Sequence, residues 1–414
     1  MSLVRLIWSD ELLEYDFGRG HPMSPARLDL TMRLVEALGL LASPELEVVG
    51  VDPAPDAVIE TVHDRDYVAA IRRASEAVGH RLGTEAIEHR LGTEAIEHRL
   101  GPEAVEHGLG TDDDPVFPHM HEAAARLLAG SVDVAQAVWA GRVQHGVNIA
   151  GGMHHAQRGA ASGFCIYNDA AAAIQSLLDA GAERVAYVDL DAHHGDGVEA
   201  IFWDDPRVLT LSVHQDGRTL YPGTGAPSDV GGPRAEGTAV NVALPPRTGS
   251  AAWLRAVDAI LPPVLRAFRP QVVVSQHGAD AHRRDPLSDL CVGVGAQRQG
   301  AALVHALAHE LCDGRWVALG GGGYAVVDVV PLVWASLVAE ALHCPLDFSQ
   351  PLPEGWRDHV GNVSGLDAAR FLGVDRVEWK RWSSGYDPAD DADRAVLATR
   401  RHVFPLWGLD PLRA

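Results

Sequence analysis

Cysteine is scarce in this sequence and is never paired at short range. The four cysteines, Cys165, Cys291, Cys312 and Cys344, lie far apart, and no CxxC motif occurs. A disulfide framework and a thiolate zinc site both need cysteines in closer or more regular groups. The cysteine pattern therefore argues against both kinds of site and favours a protein of the reducing cytosol.

Positive charge and long apolar segments are also in short supply. Lys and Arg number 34 against 56 Asp and Glu, which gives a formal net charge of -22. A protein that binds duplex nucleic acid normally carries a basic patch, and none is evident. No uncharged apolar run reaches the roughly 18 residues of a membrane span, and the N-terminus lacks a signal-peptide pattern. We therefore expect a cytoplasmic protein that binds neither nucleic acid nor membranes and whose acidity mildly attracts cationic substrates.

What remains is an ordinary globular composition over a long chain. The 414 residues are 47% hydrophobic and 22% charged, which suits one large α/β domain or two ordinary ones. Short β-branched runs alternate with longer segments of helical spacing, and this predicts a parallel β-sheet with crossover helices. Predicted strands cover 3–8, 48–51, 147–150, 185–188, 207–214, 240–243, 271–276 and 316–320. Predicted helices cover 25–41, 119–139, 168–180, 251–268, 295–312 and a segment that ends at 342, and residues 55–75 are predicted to be helical with interruptions.

Two segments fall outside this alternation. RLGTEAIEH stands twice in succession and RLGPEAVEH follows as a near copy, so residues 81–107 form a tandem repeat. Solenoid units usually need about 20 residues or more, so we interpret the repeat as an insertion in a surface segment, partly helical or mobile. Residues 345–414 are richer in Trp, Pro and charge and are expected to wrap the core as irregular appendages. The predicted organisation is an α/β domain over 1–344 with a C-terminal extension over 345–414 that packs on the same domain.

The strongest chemical signal lies between Val185 and Asp196, which read VAYVDLDAHHGD. The apolar run is typical of a buried parallel strand that ends at a site. Asp189, Asp191 and His193 alternate, so in an extended chain they point to one face. Two carboxylates and an imidazole are costly to bury together unless a cation joins them. The stretch therefore predicts a metal site.

Three further motifs follow predicted strands in the same way. GGMHH occupies 151–155, HGADAHRRDPL occupies 277–287 and GGGGY occupies 320–324. Each motif is weak alone, because a His-His pair or a glycine run is more often structural, and this run lacks the GK[ST] of a phosphate-binding loop. Ligands of open parallel sheets bind beyond the carboxyl ends of the strands. The four motifs together therefore predict one site.

Asp191, His193 and Asp280 are the candidate metal ligands. Three side chains leave a position open for water or substrate. The metal would polarise a carbonyl group and lower the pKa of its bound water. Two carboxylates with one imidazole form a harder donor set than most catalytic zinc sites, so Zn²⁺, Fe²⁺, Co²⁺ and Mn²⁺ all stay open.

His154 and His155 are the candidate acid–base groups beside the metal. A histidine base needs a carboxylate on its other ring nitrogen, and Asp189 and Asp196 are available for that purpose. Tyr324, at the end of the glycine run, has a hydroxyl that can donate to a developing oxyanion. The residue types therefore indicate hydrolysis of a carbonyl compound by a metal-bound water.

With these motifs the sequence resembles the zinc-dependent histone deacetylase family and is most similar to its bacterial acetoin-utilisation branch. The resemblance extends from residue 21 to Trp334. It rests on GGMHHAQRGAASGFCIYNDAA (151–171), VAYVDLDAHHGDGVEAIF (185–202), TLSVHQDGRTLYPGTG (210–225) and LGGGGYAVVDVV (319–330). It implies the arginase/deacetylase fold, a single parallel β-sheet sandwiched by helices.

The resemblance also implies an activity and a role for each site residue. The activity is removal of acetyl groups from N-ε-acetyl-lysine by a metal-activated water with a histidine general acid–base. Its substrates would be acetylated proteins or peptides, such as an acetylated enzyme resembling acetyl-CoA synthetase. The matching positions are Asp191, His193 and Asp280 for zinc; His154 and His155 for the catalytic histidines, with His155 as acid–base; Tyr324 for the carbonyl-polarising tyrosine; Gly163, Phe164 and Tyr221 for the lysine tunnel; Asp113 for the acidic rim; and Asp189, Asp191, His193, Ser212 and Val213 for a potassium ion.

Three alternatives stay open. Small acetylated polyamines suit the same site if its entrance excludes proteins. A manganese ureohydrolase on the same fold needs a second metal, but His282 stands where a second Asp would be expected. A non-catalytic acetyl-lysine reader would lack Tyr324 or one of the paired histidines, and all of them are present.

Overall fold

The structure is a computed structural model that describes residues 3–79, 102–373 and 376–413. The predicted repeat lies outside the described residues except for 102–107, which contain the short helix Pro102–Glu106. The strands, β1 to β8, are Val4–Ile7, Leu46–Val49, His145–Asn148, Val185–Asp189, Val208–Gln215, Ala239–Leu244, Val272–Gln276 and Trp316–Leu319. The α-helices, α1 to α12, are Ala26–Ala37, Asp56–Ile59, Arg65–Gly79, Pro102–Glu106, Met120–Trp139, Asp169–Asp179, Asp196–Phe202, Ser250–Phe268, Val294–Cys312, Val330–Ala341, Glu354–Ser364 and Asp391–Val403. Short 3₁₀ helices span Asp10–Glu14, Leu40–Ala42, Trp382–Ser384 and Phe404–Trp407.

One eight-stranded sheet forms the centre of the molecule. Its strand order is β2-β1-β3-β8-β7-β4-β5-β6, and every pair is parallel. Helices cover both faces, as parallel crossovers require. The prediction of a single parallel sheet between helices is confirmed.

The middle of the sheet is formed by β3, β8, β7 and β4, whose residues are all buried. Gln276, the last residue of β7, pairs with Asp189 at the end of β4 and with Leu319 at the end of β8. Leu319 also pairs with Asn148, the last residue of β3. These four strands therefore end at one level, and the loops that follow them open on the same edge.

The predicted helices exist, but the C-terminal boundary of the first is wrong. The helix predicted over 25–41 ends at Ala37, because Gly39 adopts a left-handed conformation with φ of 76° that closes it. The segment predicted as helical with interruptions over 55–75 is two helices, α2 and α3, so the predicted interruption is confirmed. They are separate because the backbone N–H of Asp64 bonds to Arg158 of a distant loop at 2.9 Å. At the start of α6, the side chain of Asn168 caps the helix by accepting from the N–H of Ala171.

The C-terminal extension contains the helices α11 and α12, so the expectation of irregular appendages is wrong for these segments. In α12, Thr399 donates to the carbonyl of Asn241 in β6 at 2.6 Å, and Arg400 donates to the carbonyl of Ala259 in α8 at 2.8 Å. The domain boundary at residue 344 stays a prediction.

An ion pair between Arg255 of α8 and Asp393 of α12 yields a test of this packing. The guanidinium makes two hydrogen bonds to the Asp393 carboxylate, at 2.5 and 2.8 Å, and Asp393 is buried. Arg255→Met would leave that carboxylate unpaired and is expected to lower the free energy of unfolding by about 3–5 kcal/mol. The control Arg266→Met removes an exposed pair with Glu310, for which about 0–1 kcal/mol is expected. Equal shifts of both variants in urea unfolding would contradict the prediction.

Among the residues that the structure describes, no helix combines the length and the apolar character needed to cross a bilayer.

Candidate metal centre and active site

The four motifs predicted to share a site do meet, at the edge where β3, β8, β7 and β4 end. These strands are adjacent in that order. Residues 151–155 follow β3, 320–324 follow β8, 277–287 follow β7 and 190–196 follow β4. The site is therefore assembled from four separate crossover units of the sheet.

The three candidate metal ligands converge at this edge. The Nδ1 atom of His193 lies 3.1 Å from Oδ1 of Asp191 and 3.0 Å from Oδ2 of Asp280. Both carboxylates are fully buried, and the histidine is almost so. All three residues offer ligand atoms within 4.8 Å of one another. This is the spacing that side chains around a single cation require.

Asp189 stands apart from this group, so the prediction that alternate residues from Asp189 onward share one face is wrong. β4 ends at Asp189, and the chain bends beyond it. The Oδ2 atom of Asp189 accepts a hydrogen bond from the hydroxyl of Tyr187 at 2.7 Å and lies 2.8 Å from Nδ1 of His154. Its carboxylate therefore serves the histidine pair, and the second ligand carboxylate comes from Asp280, beyond β7.

Backbone and amide groups hold the two ligand carboxylates in place. The Asp191 carboxylate accepts from Nε2 of Gln276 at 2.7 Å and from the N–H of Gly322 at 2.9 Å. The Asp280 carboxylate accepts from the N–H of Ala192 at 2.9 Å. A Cβ atom at Gly322 would lie 2.1 Å from Oδ2 of Asp280, so only glycine permits this approach. The ligands are therefore fixed before any ion binds.

The donor set fits a divalent cation. Burial, and then the neighbouring Asp191 carboxylate, raise the pKa of Asp280 to about 7. Two carboxylates this close and this deeply buried repel each other. A cation between them removes that repulsion, and one imidazole with two carboxylates suits Zn²⁺ or a harder first-row ion.

Beside the ligands, two adjacent histidines each face a carboxylate. The Nδ1 atom of His154 lies 2.8 Å from Asp189, and Nδ1 of His155 lies 2.6 Å from Asp196, while the two Nε2 atoms are 3.1 Å apart. Burial disfavours charge on His154, but the carboxylates of Asp189 and Asp191 outweigh it and raise its pKa to about 9. Burial and the charge of His154 lower the pKa of His155 to about 4. Their surroundings therefore shift the pKa values of the two rings in opposite directions.

Tyr324 is held at the site by its backbone and by a buried arginine. Its N–H donates to the Asp285 carboxylate at 2.7 Å. Arg27 donates to the carbonyls of Gly321 and Gly323, at 3.0 and 3.2 Å, and so fixes the loop before the tyrosine. Burial and the ligand carboxylates raise the pKa of the Tyr324 hydroxyl well above its usual value. The hydroxyl therefore stays protonated and able to donate.

The residues predicted to line a tunnel lie next to His155 and Tyr324. Gly163 has φ of 55°, and a Cβ atom there would lie 2.6 Å from the ring of His155. The rings of Tyr221 and His155 pack edge-on with their centroids 5.1 Å apart, and those of Phe164 and Tyr324 do so with centroids 5.6 Å apart. Tyr221 is 42% exposed. Gly163, Phe164 and the partly exposed Tyr221 therefore flank the acid–base pair and Tyr324, and we call these three residues the aromatic opening.

Asp113, the predicted rim residue, is exposed on the loop before α5. Its backbone carbonyl lies 3.1 Å from Nε2 of His21. The next residue, Asp114, is buried, and burial followed by the charge of Asp113 raises its pKa well above the usual value. A contact between Asp113 and a substrate stays a prediction.

The predicted potassium site lies where β4 and β5 run side by side. Ser212 pairs in register with Asp189, and its hydroxyl lies 2.8 Å from Nδ1 of His214. Val213 is buried in β5. Potassium binding by these residues with the backbone of Asp191 and His193 stays a prediction.

Sequence patterns missed four residues that position this site. Gln276 and Asp285 bind ligand or backbone groups as described, and Arg27 lies in a helix whose apolar spacing hid it. Asp169 accepts from the N–H groups of Gly152 and Met153 and so fixes the loop that carries the paired histidines. Gln276 carried a weak signal, because it ends a predicted strand directly before a motif. Asp285 lies within the motif at 277–287 and Asp169 within the string at 151–171, but neither was given a role, and Arg27 carried no signal.

Comparison with known proteins agrees with this geometry. The family model described as "Histone deacetylase domain" matches residues 21–341. "Acetoin utilization protein AcuC" of Bacillus subtilis (strain 168) is 38% identical over 357 residues, which cover 84% of each chain. The protein of that name from Staphylococcus aureus (strain MSSA476) is 35% identical over 378 residues, which cover 88% of this chain and 92% of the relative. Family match and relatives together show that the chain belongs to the histone deacetylase family of hydrolases, in its acetoin-utilisation branch.

Proposed function

We propose that this chain hydrolyses the acetamide of N-ε-acetyl-lysine in proteins or peptides, releasing acetate and the free lysine amine. The observation that carries the proposal is the convergence of Asp191, His193 and Asp280 next to the histidine pair, whose outer ring contacts Tyr221 of the aromatic opening. Hydrolysis of an amide needs an activated water, a proton donor for the leaving amine and an oxyanion donor. Side chains of each required type are present at this edge.

Asp191, His193 and Asp280 would hold one divalent ion. When bound, that ion supplies Lewis acidity toward the acetyl carbonyl and lowers the pKa of a water. Zinc is the expected ion, with Fe²⁺, Co²⁺ and Mn²⁺ as substitutes that this oxygen-rich donor set accepts. A potassium ion at Asp189 and Ser212, the predicted second cofactor, would neutralise part of the negative charge behind the ligands.

His155 is the general base and acid of the proposed reaction. Its ring lies against Gly163 and Tyr221 of the opening, whereas His154 lies behind it against Asp189. The hydrogen bond from Nδ1–H of His155 to Asp196 leaves Nε2 with the lone pair that accepts a proton. The same nitrogen returns that proton to the departing lysine amine.

The opening suits a narrow aliphatic chain that ends in an acetamide. Aromatic rings at Phe164 and Tyr221 can flank lysine methylenes, and Gly163 leaves the chain room beside His155. A net charge of -22 favours substrates with cationic flanks. Asp113 at the rim would bind the backbone of such a substrate. The name of the relatives places them in acetoin utilisation, and we extend that context to this chain.

Tyr324 would donate its hydroxyl to the oxyanion formed from the acetyl carbonyl. Tyr324→Phe removes that donor alone, so kcat is expected to fall by about 10²–10³-fold with little change in KM. The control Tyr386→Phe, in the C-terminal extension, should keep the activity of the parent. Steady-state kinetics on an acetyl-lysine peptide measure both variants, and an unchanged kcat for Tyr324→Phe would remove its assigned role.

Acetate release from three substrates tests the proposed function. Acetyl-lysine peptides, N-acetylputrescine and N-acetylspermidine are assayed in parallel at equal concentration. We expect the highest kcat/KM on the peptides, because their backbone adds contacts at the rim. Preference for a polyamine would reassign the chain to acetylpolyamine hydrolysis, and no acetate from any of the three would overturn the proposal.

A further inference from the structure

Four histidines meet at the edge of the sheet opposite the active site. His145 is the first residue of β3, His305 and His309 lie one turn apart on α9, and His343 follows the end of α10. The GGMHH loop follows the other end of β3. This four-histidine cluster is therefore separated from the active site by the length of a strand.

All four rings turn the same nitrogen toward a common point. The Nε2 atom of His145 lies 3.2 Å from Nε2 of His343 and 3.2 Å from Nε2 of His305, and Nε2 of His309 lies 3.1 Å from that of His305. Ligand atoms of the four residues all lie within 4.8 Å of one another. Zinc–nitrogen bonds of about 2.0–2.1 Å in a tetrahedral site place the nitrogens roughly 3.3–3.4 Å apart. The three distances of 3.1–3.2 Å are close to that value, and the remaining pairs lie within 4.8 Å.

Hydrogen bonds alone do not account for these contacts. An imidazole nitrogen carries either one in-plane proton or one in-plane lone pair, so it makes one good hydrogen bond along the ring plane. The Nε2 atoms of His145 and His305 each face two other nitrogens. Protonation of several rings does not stabilise this arrangement, because positive charges this close repel each other. A cation at the common point satisfies all four lone pairs at once.

The surroundings of His305 resemble those of a metal ligand. Its Nδ1 atom lies 3.2 Å from the Glu340 carboxylate, so Nδ1–H donates to Glu340 and Nε2 keeps its lone pair. A carboxylate on the outer nitrogen of a ligating histidine fixes the tautomer and raises the basicity of the ligand. The imidazole ring of His305 also stacks on the ring of Trp316, with the centroids 4.9 Å apart and an interplanar angle of 21°. Its orientation is thus fixed on two sides.

The cluster is also open to an ion from solvent. His145 and His305 are buried, whereas His309 and His343 are exposed. An ion can therefore reach the inner pair after movement of the outer two rings only. Such a half-buried arrangement joins a central strand to the two helices that cover it.

We propose that the four-histidine cluster binds a second divalent transition-metal ion, with zinc as the expected occupant, as a structural site distinct from the active site. Four protein ligands fill a tetrahedral shell and leave no position for a substrate. Imidazole suits Zn²⁺, Cu²⁺ and Ni²⁺ and disfavours Mg²⁺ and Ca²⁺. The bound ion would tie β3, α9 and the end of α10 together and so oppose unfolding.

Metal counting on untagged protein tests the proposal. Protein equilibrated with zinc and freed of excess ion is expected to retain two zinc ions per chain. His309→Ala/His343→Ala changes exposed rings only and should retain one, while the control His402→Ala, an exposed histidine of α12, should retain two. Equal zinc content in the double variant and the parent would overturn the proposal, as would one ion in the parent that Asp280→Asn removes.

Thermal unfolding supplies a second measurement. Added zinc should raise the melting temperature of the Asp280→Asn variant, which keeps the cluster, and should not raise that of Asp280→Asn combined with His309→Ala/His343→Ala. Circular dichroism of both variants without zinc controls for misfolding. Equal zinc responses of the two variants would contradict a site at the cluster. This result does not depend on whether the chain deacetylates lysine.

Discussion

Replacing His155 by alanine is expected to lower kcat on an acetyl-lysine peptide by roughly 10²–10⁴-fold, the usual contribution of a positioned general acid–base. His155 is next to the aromatic opening, and its Nδ1 is held by Asp196 at 2.6 Å. No other imidazole of the described site touches both the opening and the histidine pair. KM should change little, because the proton transfer occurs in the transition state. Steady-state kinetics give both constants.

Variants of Asp196 and His154 distinguish the general base His155 from the residues that position it. Asp196→Asn keeps a hydrogen-bonding side chain but removes the charge that selects the tautomer of His155, so a smaller loss in kcat is expected. His154→Ala removes the ring behind His155 and should also act on kcat. A larger loss for His154→Ala than for His155→Ala would exchange the roles of the two histidines. Circular dichroism checks that each variant is folded.

The sequence predicted the parts of this architecture that depend on local pattern. β-branched runs followed by polar motifs located the central strands, and the rule that parallel strands end at one edge brought Asp280 to Asp191 and His193 across a gap of more than eighty residues. Pairing by register, with Gln276 opposite both Asp189 and Leu319, is the physical reason that this inference was correct.

Other features depend on long-range packing that no local pattern encodes. Alternation placed Asp189 on one face with Asp191 and His193, but the chain leaves the strand at Asp189. The separate prediction that this carboxylate orients a histidine of the pair agrees with its distance of 2.8 Å from Nδ1 of His154. The four-histidine cluster joins residues up to 198 positions apart, and each histidine alone has no signature. Helix α12 was missed because its apolar positions are few and are buried by distant segments, mainly α8 and β6.

Exhaustive removal of metal is expected to lower the deacetylase activity by about 10³-fold or more, since metal chemistry supplies several kcal/mol to such reactions. Asp191 and Asp280 both contact His193, and these three side chains together would hold the ion that this chemistry needs. Zinc or Co²⁺ should restore activity to the parent protein. Asp280→Ala removes one of the three ligands, so the same additions should fail to restore it.

The ion proposed for the four-histidine cluster affects how this experiment is designed. A chelator strips both sites, so loss of activity alone does not say which ion matters. In His309→Ala/His343→Ala only the active-site ion remains to be lost, and a single equivalent of zinc should then restore full activity. If that variant needs no metal, or if chelated parent protein stays fully active, the ligand trio Asp191, His193 and Asp280 has no part in the reaction. If one equivalent of zinc restores activity, the ion needed for amide cleavage is the one at the carboxyl ends of β4 and β7. The ion at the four-histidine cluster then stabilises the fold only.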